Sequence, residues 1–177
     1  MNTRSIIAFG FLLLLGMSWV GCSTRKNKPL NRFWHRLNTR YNGYFNGKEA
    51  MKEGVLDLRK SRTDNYAGIL PVFDIGHSDG WSDINANAER AIEKSGKMIK
   101  KHSMLINGQQ HNSWIDNCYL LMGKANFFKK EFFLAAGQFR YVAVESEDEL
   151  TKEEAKIWLL RVYNQENEFA EASAAMR

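Results

Sequence analysis

Between Asp116 and Glu149 the chain repeats one face twice. Tyr119, Met122, Gly123 and Asn126 fall at i, i+3, i+4 and i+7, and Phe132, Ala135, Phe139 and Val142 follow at similar spacings. Each set lines one side of a helix with a period near 3.6 residues. The polar triplet Lys129-Lys130-Glu131 separates them, so the pattern predicts two helices joined by a short turn. Gly123 and Ala135 are small where the helices must approach, and Phe132 and Phe139 fill the space between them. Asn126 interrupts the apolar face, with Phe127 and Phe128 beside it.

With Asp116 as position one, these residues occupy positions 4, 7, 8, 11, 17, 20, 24 and 27. Those are packing positions of the 34-residue tetratricopeptide-type helical repeat. The spacing occurs twice more. With Asn31 as position one, Trp34, Leu37, Tyr41 and Ala50 stand at 4, 7, 11 and 20. This predicts a first helix to about Asn46, a turn at Gly47, and a second helix over 48–60 with Ala50, Gly54 and Leu58 on one face. Gly43 and Gly47 each weaken a helix by about 1 kcal/mol relative to Ala, which suits a turn at Gly47. With Glu153 as position one, Leu159, Leu160, Tyr163, Phe169 and Ala172 stand at 7, 8, 11, 17 and 20. That third unit stops inside its second helix, whereas solenoids close with a polar capping repeat. The expectation is therefore the N-terminal part of a longer protein, or one completed by a partner.

Between the repeats, 83–102 reads as a long helix with Ile84, Ala88, Ala91, Ile92, Met98 and Ile99 on its apolar side. Asn107-Gly108 ends that region. Ser113-Trp114-Ile115-Asp116 and Thr151-Lys152-Glu153-Glu154 both have the form of helix N-terminal caps. The fold class expected is all-α, a short solenoid of tetratricopeptide-like hairpins.

The N-terminus changes the picture of compartment. Arg4 precedes a continuous apolar run from Ile6 to Val20, too short to span a bilayer comfortably and read as an export signal. Trp19-Val20-Gly21-Cys22 resembles the lipobox of bacterial lipoproteins, with Trp19 in place of the usual Leu. Three units are expected: a lipoprotein signal peptide at 1–21, a lipidated flexible tether at 22–30, and the helical repeat domain at 31–177. Cys22 is the lipid attachment site, and two or three acyl chains suffice for stable anchoring. Ser23 after the Cys resembles outer-membrane sorting signals, on the periplasmic face. Arg25, Lys26 and Lys28 read as solvated cations near the lipid.

The rest of the composition narrows the chemistry. The net charge of +5 is dispersed over 177 residues, which argues for a soluble surface and against a nucleic-acid partner. Cys22 and Cys118 are too few for a disulfide framework, and Cys118 reads as a small buried apolar side chain. His35, His77, His102 and His111 share no metal-ligand spacing, and no phosphate loop or dinucleotide fingerprint is present. No cofactor is expected. Gly76-His77-Ser78-Asp79-Gly80 has the form of a hydrolase nucleophile elbow. That turn rises from a parallel sheet, and no alternation of strands with helices supports one, so Ser78 as a nucleophile is the alternative reading.

Several stretches resemble one family. Phe33-Trp34-His35, Arg40-Tyr41-Asn42-Gly43-Tyr44-Phe45-Asn46 and Glu49-Ala50 are similar to the start of PorW/SprE-type lipoproteins. So are Leu70-Pro71-Val72-Phe73, Ile92-Glu93-Lys94 through His102-Ser103-Met104, and Gly123-Lys124-Ala125. These are periplasmic tetratricopeptide-repeat lipoproteins of type IX secretion and gliding motility in Bacteroidota. The resemblance implies a non-enzymatic scaffold between the secretion translocon and periplasmic motor-linked components. It transfers one residue, the lipidated Cys22. Arg40 and Tyr44 are the expected partner contacts, because Tyr and Arg favour interface cores, while Tyr41 and Phe45 are expected to pack between helices. A repeat lipoprotein serving outer-membrane protein assembly or glycan uptake is the alternative within the binding class.

Overall fold

The computed structural model describes residues 23–61, 66–67, 84–167, 170 and 172. The signal segment, Cys22, the Leu70-Pro71-Val72-Phe73 stretch, Ser78 and Phe169 lie outside the described residues. The described chain is almost entirely helical. Helix α1 (Pro29–Asn38) runs without a break through a π-helical segment (Thr39–Tyr44) into α2 (Phe45–Ser61). Then come α3 (Asn85–His102), a hairpin of β1 (Leu105–Ile106) and β2 (Gln109–Gln110), α4 (Trp114–Phe128), α5 (Phe132–Glu145) and α6 (Glu149–Glu166). Successive helices pack on one another, and α4 lies in the middle, against α3, α5, α6 and the π segment.

The central hairpin forms as its spacing predicts. Lys129, Lys130 and Glu131 make the turn, with Lys130 in the left-handed region at φ 63°. Gly123 sits directly against the Phe139 ring, and Ala135, Phe139 and Val142 are fully buried. Met122, Tyr119 and Phe132 are half-buried at the edges of the same contact, where Tyr119 packs on Tyr141 with tilted rings 4.4 Å apart between centroids. Asn126, the irregular position, is buried and donates to Gln138 Oε1 at 2.8 Å. Its carbonyl also accepts from the Glu131 amide at 2.9 Å and so holds the turn.

The first predicted hairpin does not exist. Gly47 is inside a helix, and residues 29–61 form one rod roughly 50 Å long at 1.5 Å per residue. Its aromatic face does not pack: Trp34 is 47% exposed, Leu37 40%, Tyr41 54% and Phe45 52%. Of the packing residues expected there, Ala50 alone is buried, together with Gly54 and Leu58 from the second face. The buried stripe is Asn31, His35, Thr39, Gly43 and Gly47, four residues apart. It is small and polar because α3 lies close against it. A Cβ on Gly47 would come within 3.0 Å of Leu121 and 3.4 Å of the Ala91 carbonyl, and one on Gly43 would overlap Met98. The glycines serve close approach here, not a turn.

The polar half of the stripe is satisfied by a network. Thr39 Oγ1 donates to the His35 carbonyl at 2.7 Å and accepts from Asn112 Nδ2 at 2.8 Å. Asn112 Nδ2 also donates to the His102 carbonyl at 2.9 Å. A Thr hydroxyl bonded back to the carbonyl four residues earlier competes with the backbone ladder and bends a helix, and the π segment starts at Thr39. Residues expected as a flexible tether also fold back, since Asn31 Nδ2 donates to the carbonyls of Ser23 at 2.8 Å and Lys26 at 3.2 Å.

Two caps differ from expectation. At α4 the side chain of Asn112, not Ser113, accepts from the Trp114 amide, at 3.3 Å. At α6 the cap is Asp148, whose carboxylate accepts from the Thr151 amide at 3.0 Å and its hydroxyl at 2.5 Å, so the helix starts at Glu149. Asn107 (φ 52°) and Gly108 (φ 79°) form a two-residue hairpin turn of the kind that needs two left-handed residues.

Candidate functional site

The core that shapes the candidate site is aromatic. Trp158 on α6 meets Phe127 edge-on at 5.4 Å and stacks on Phe139 at 5.9 Å, with Phe128 at 6.2 Å. This fixes α6 against the hairpin and leaves a groove of about 600 Å³ between α2, α4 and α6. Its floor is apolar: Met51, Val55, Leu120, Leu121, Phe128 and Trp158. The α2 side repeats at three and four residues, with Lys48, Lys52 and Arg59 around Met51, Val55 and Leu56.

Among the described residues, every charged side chain that lines this groove is a cation: Lys48, Lys52, Arg59, Lys124 and Arg161. Trp158 lies between two of them, with Arg161 4.4 Å and Lys124 5.6 Å from its ring centroid. Lys124 is drawn to Glu154 at 2.6 Å, and Lys52 lies a looser 3.8 Å from Glu49. Burial lowers the Arg161 pKa, with the Glu154 carboxylate opposing the shift. Among the described residues, no Ser, Cys or His lines the groove. What it offers is contact area, apolar anchors and positive charge.

Of the expected partner residues, Tyr44 lines this groove and Arg40 does not. Tyr44 meets Trp114 at 5.2 Å with the rings tilted by 53°, and Arg40 lies over both Trp114 at 4.8 Å and Tyr41 at 4.9 Å. Arg40 instead lines a second groove of about 490 Å³ beside α1, and the Tyr44–Trp114 pair stands between the two. Tyr41 and Phe45, expected between helices, are exposed.

Several contributors carried no sequence signal. Trp158 lies one position away from the repeat register, and Lys48, Arg59 and Arg161 were spread over separate segments. His35 and His102, unrelated in spacing, meet with their Nδ1 atoms 2.8 Å apart. Burial, and then the neighbouring His35, lowers the His102 pKa. Cys118 is fully buried, as its place in the helix suggested, and burial pushes its thiol up to about 12. Among the described residues, no group of three or more His, Cys, Asp or Glu could hold a metal ion. No helix among them is long and apolar enough to cross a membrane. Compared with models of protein families and with characterised proteins, the chain matches none.

Proposed function

We propose that this chain is a scaffold lipoprotein of the outer membrane that binds partner proteins of type IX secretion and gliding motility through its cationic groove. The observation that carries the binding role is the 600 Å³ groove, with an apolar floor and five cations. A partner segment with apolar anchors beside carboxylates fits that chemistry, by the helix-in-groove or extended-peptide modes that helical scaffolds use. The helix pair α4–α5, continued by α6, supports a tetratricopeptide-like reading of the C-terminal half. The assignment to the secretion apparatus rests on the PorW/SprE-type resemblance, above all Arg40-Tyr41-Asn42-Gly43-Tyr44-Phe45-Asn46. Lipidation at Cys22 and the periplasmic face of the outer membrane follow from the same resemblance and from the lipobox.

The test is an affinity purification of the full-length chain from detergent-solubilised native membranes, with a Lys48→Glu, Arg59→Glu variant beside it. Both residues are exposed and no core contact depends on them. Recovery of translocon or motor-ring components by the wild type, lost in the variant, supports the reading. Recovery of barrel-assembly proteins or glycan importers, with no secretion component, refutes it.

A further inference from the structure

The exposed face of α1 and the π segment sets large apolar side chains beside a row of arginines. Leu30 is 71% exposed and Phe33 61%, and with Trp34, Leu37 and Tyr41 they recur at three, four and seven residues. They form one apolar arc turned away from the core stripe of Asn31, His35 and Thr39. Along one edge of the arc stand Arg32, Arg36 and Arg40, one turn apart, and they line the 490 Å³ groove together with Phe33, Leu37 and Trp114. Residues 23–48 contain seven Lys or Arg and no Asp or Glu. A helix with this division has a cationic flank beside an aromatic face, and Trp and Tyr favour the boundary between water and hydrocarbon.

We propose that this face is a membrane-docking surface, on which α1 lies in the headgroup region of an anionic phospholipid bilayer. Phe33, Trp34 and Leu37 enter the acyl boundary, and Arg32, Arg36 and Arg40 hold lipid phosphates. Charge complementarity selects the occupant. A protein partner for an aromatic face with a purely cationic border would need a dense acidic rim, whereas an anionic leaflet presents phosphates at any register. Position in the chain agrees, because the face begins at Leu30, eight residues after Cys22, the expected lipid attachment site. Guanidinium groups suit this role, since their planar fork matches a phosphate in two-point contact. The proposal does not depend on the partner groove, which opens on the other side of the Tyr44–Trp114 pair.

The experiment places single spin labels on the full chain, at Phe33→Cys and Leu37→Cys, with Lys100→Cys as an exposed control, in nanodiscs. One set of discs contains phosphatidylglycerol and the other phosphatidylcholine alone. Cys118 is fully buried and does not compete for label. The expected result is that labels at 33 and 37 become accessible to oxygen and shielded from a nickel chelate in anionic discs, while the label at 100 stays in water. Arg32→Glu, Arg36→Glu and Arg40→Glu together should return the first two labels to water with the chain still anchored. Each cation lost should weaken docking about five-fold. Labels at 33 and 37 that remain in water in anionic discs would overturn the proposal. So would immersion unchanged by the three substitutions, or dipolar broadening between labels, which would mean that a second copy covers the face.

Discussion

Gly123→Ala tests how closely α4 and α5 are held. A Cβ at this position would stand 2.8 Å from Cδ1 and 2.9 Å from Cζ of Phe139, and closer still to Cε1. Carbon atoms in contact prefer about 3.5–4.0 Å, so the ring must retreat by roughly 1 Å. It has nowhere to go, because Phe139 is fully buried and its other face stacks on Trp158 at 5.9 Å and 24°. Overpacking of this kind costs about 1–3 kcal/mol, against a gain of about 1 kcal/mol for Ala over Gly inside a helix. The expected net effect is a loss of about 1 kcal/mol. In this size class that lowers Tm by about 2–4 °C. Gly137 is the internal control, since it lies within α5 and a Cβ there meets nothing within 4 Å. Gly137→Ala should stabilise by about 1 kcal/mol. Urea unfolding followed by far-ultraviolet circular dichroism reads both, with an unchanged slope. In the double variant Gly123→Ala, Phe139→Leu, the smaller side chain relieves the overlap, so the two costs should not add. If Gly123→Ala stabilises as much as Gly137→Ala, the spacing of the hairpin is not set by this contact and the packing argument fails.

Other consequences are independent of that pair. Trp158→Ala removes the side chain shared by Phe127, Phe128 and Phe139 and should cost about 3–5 kcal/mol in urea unfolding; a loss below about 1 kcal/mol would show that the groove floor does not depend on it. Asn112→Ala leaves Thr39 Oγ1, the His102 carbonyl and the Trp114 amide without their shared partner, at about 2–3 kcal/mol; calorimetry showing an unchanged Tm would refute the network. Asp116 is pushed up from 3.8 to about 6, mainly by burial, with the Glu147, Glu145 and Asp148 carboxylates adding to it and a hydrogen bond from Ser146 opposing. Between those values the folded chain holds a proton that the unfolded chain does not, so this group loses stability as pH rises through the window. Asp116→Asn should therefore gain on the order of 1 kcal/mol at neutral pH after allowance for solvent screening, and urea midpoints showing no gain above pH 6 would refute it. His102 acts in the opposite sense: its folded value is lowered below 6.5, so the unfolded chain takes up the proton first and stability falls as pH drops below that value. In the Asp116→Asn variant this acid loss should stand alone, and a flat profile would count against the His35–His102 contact. With Cys22→Ser, the remaining Cys118 thiol should react with a disulfide reagent only at the rate of unfolding, because it is buried and held protonated.

The sequence by itself determined the all-helical class and the central hairpin, down to the Lys129–Glu131 turn and the fit of Gly123 against Phe139. Those features follow from contacts a few residues to a few turns apart, where spacing and side-chain size are enough. It also placed α3 closely and Cys118 in the core. The 29–61 segment shows where such reasoning stops. Its aromatic periodicity pointed Trp34, Leu37 and Tyr41 inward and put a turn at Gly47. A helix offers several faces, and which one is buried depends on what stands opposite. Here α3 comes close enough that Gly43 and Gly47 fit and larger side chains do not. His102 and Asn112 supply partners for His35 and Thr39, so the small polar face goes inward and the aromatic one outward. The cationic groove was equally hidden, because Lys48, Arg59, Lys124 and Arg161 belong to three helices separated by long stretches of chain. Only the packing of α6 on the hairpin through Trp158 brings them to one rim.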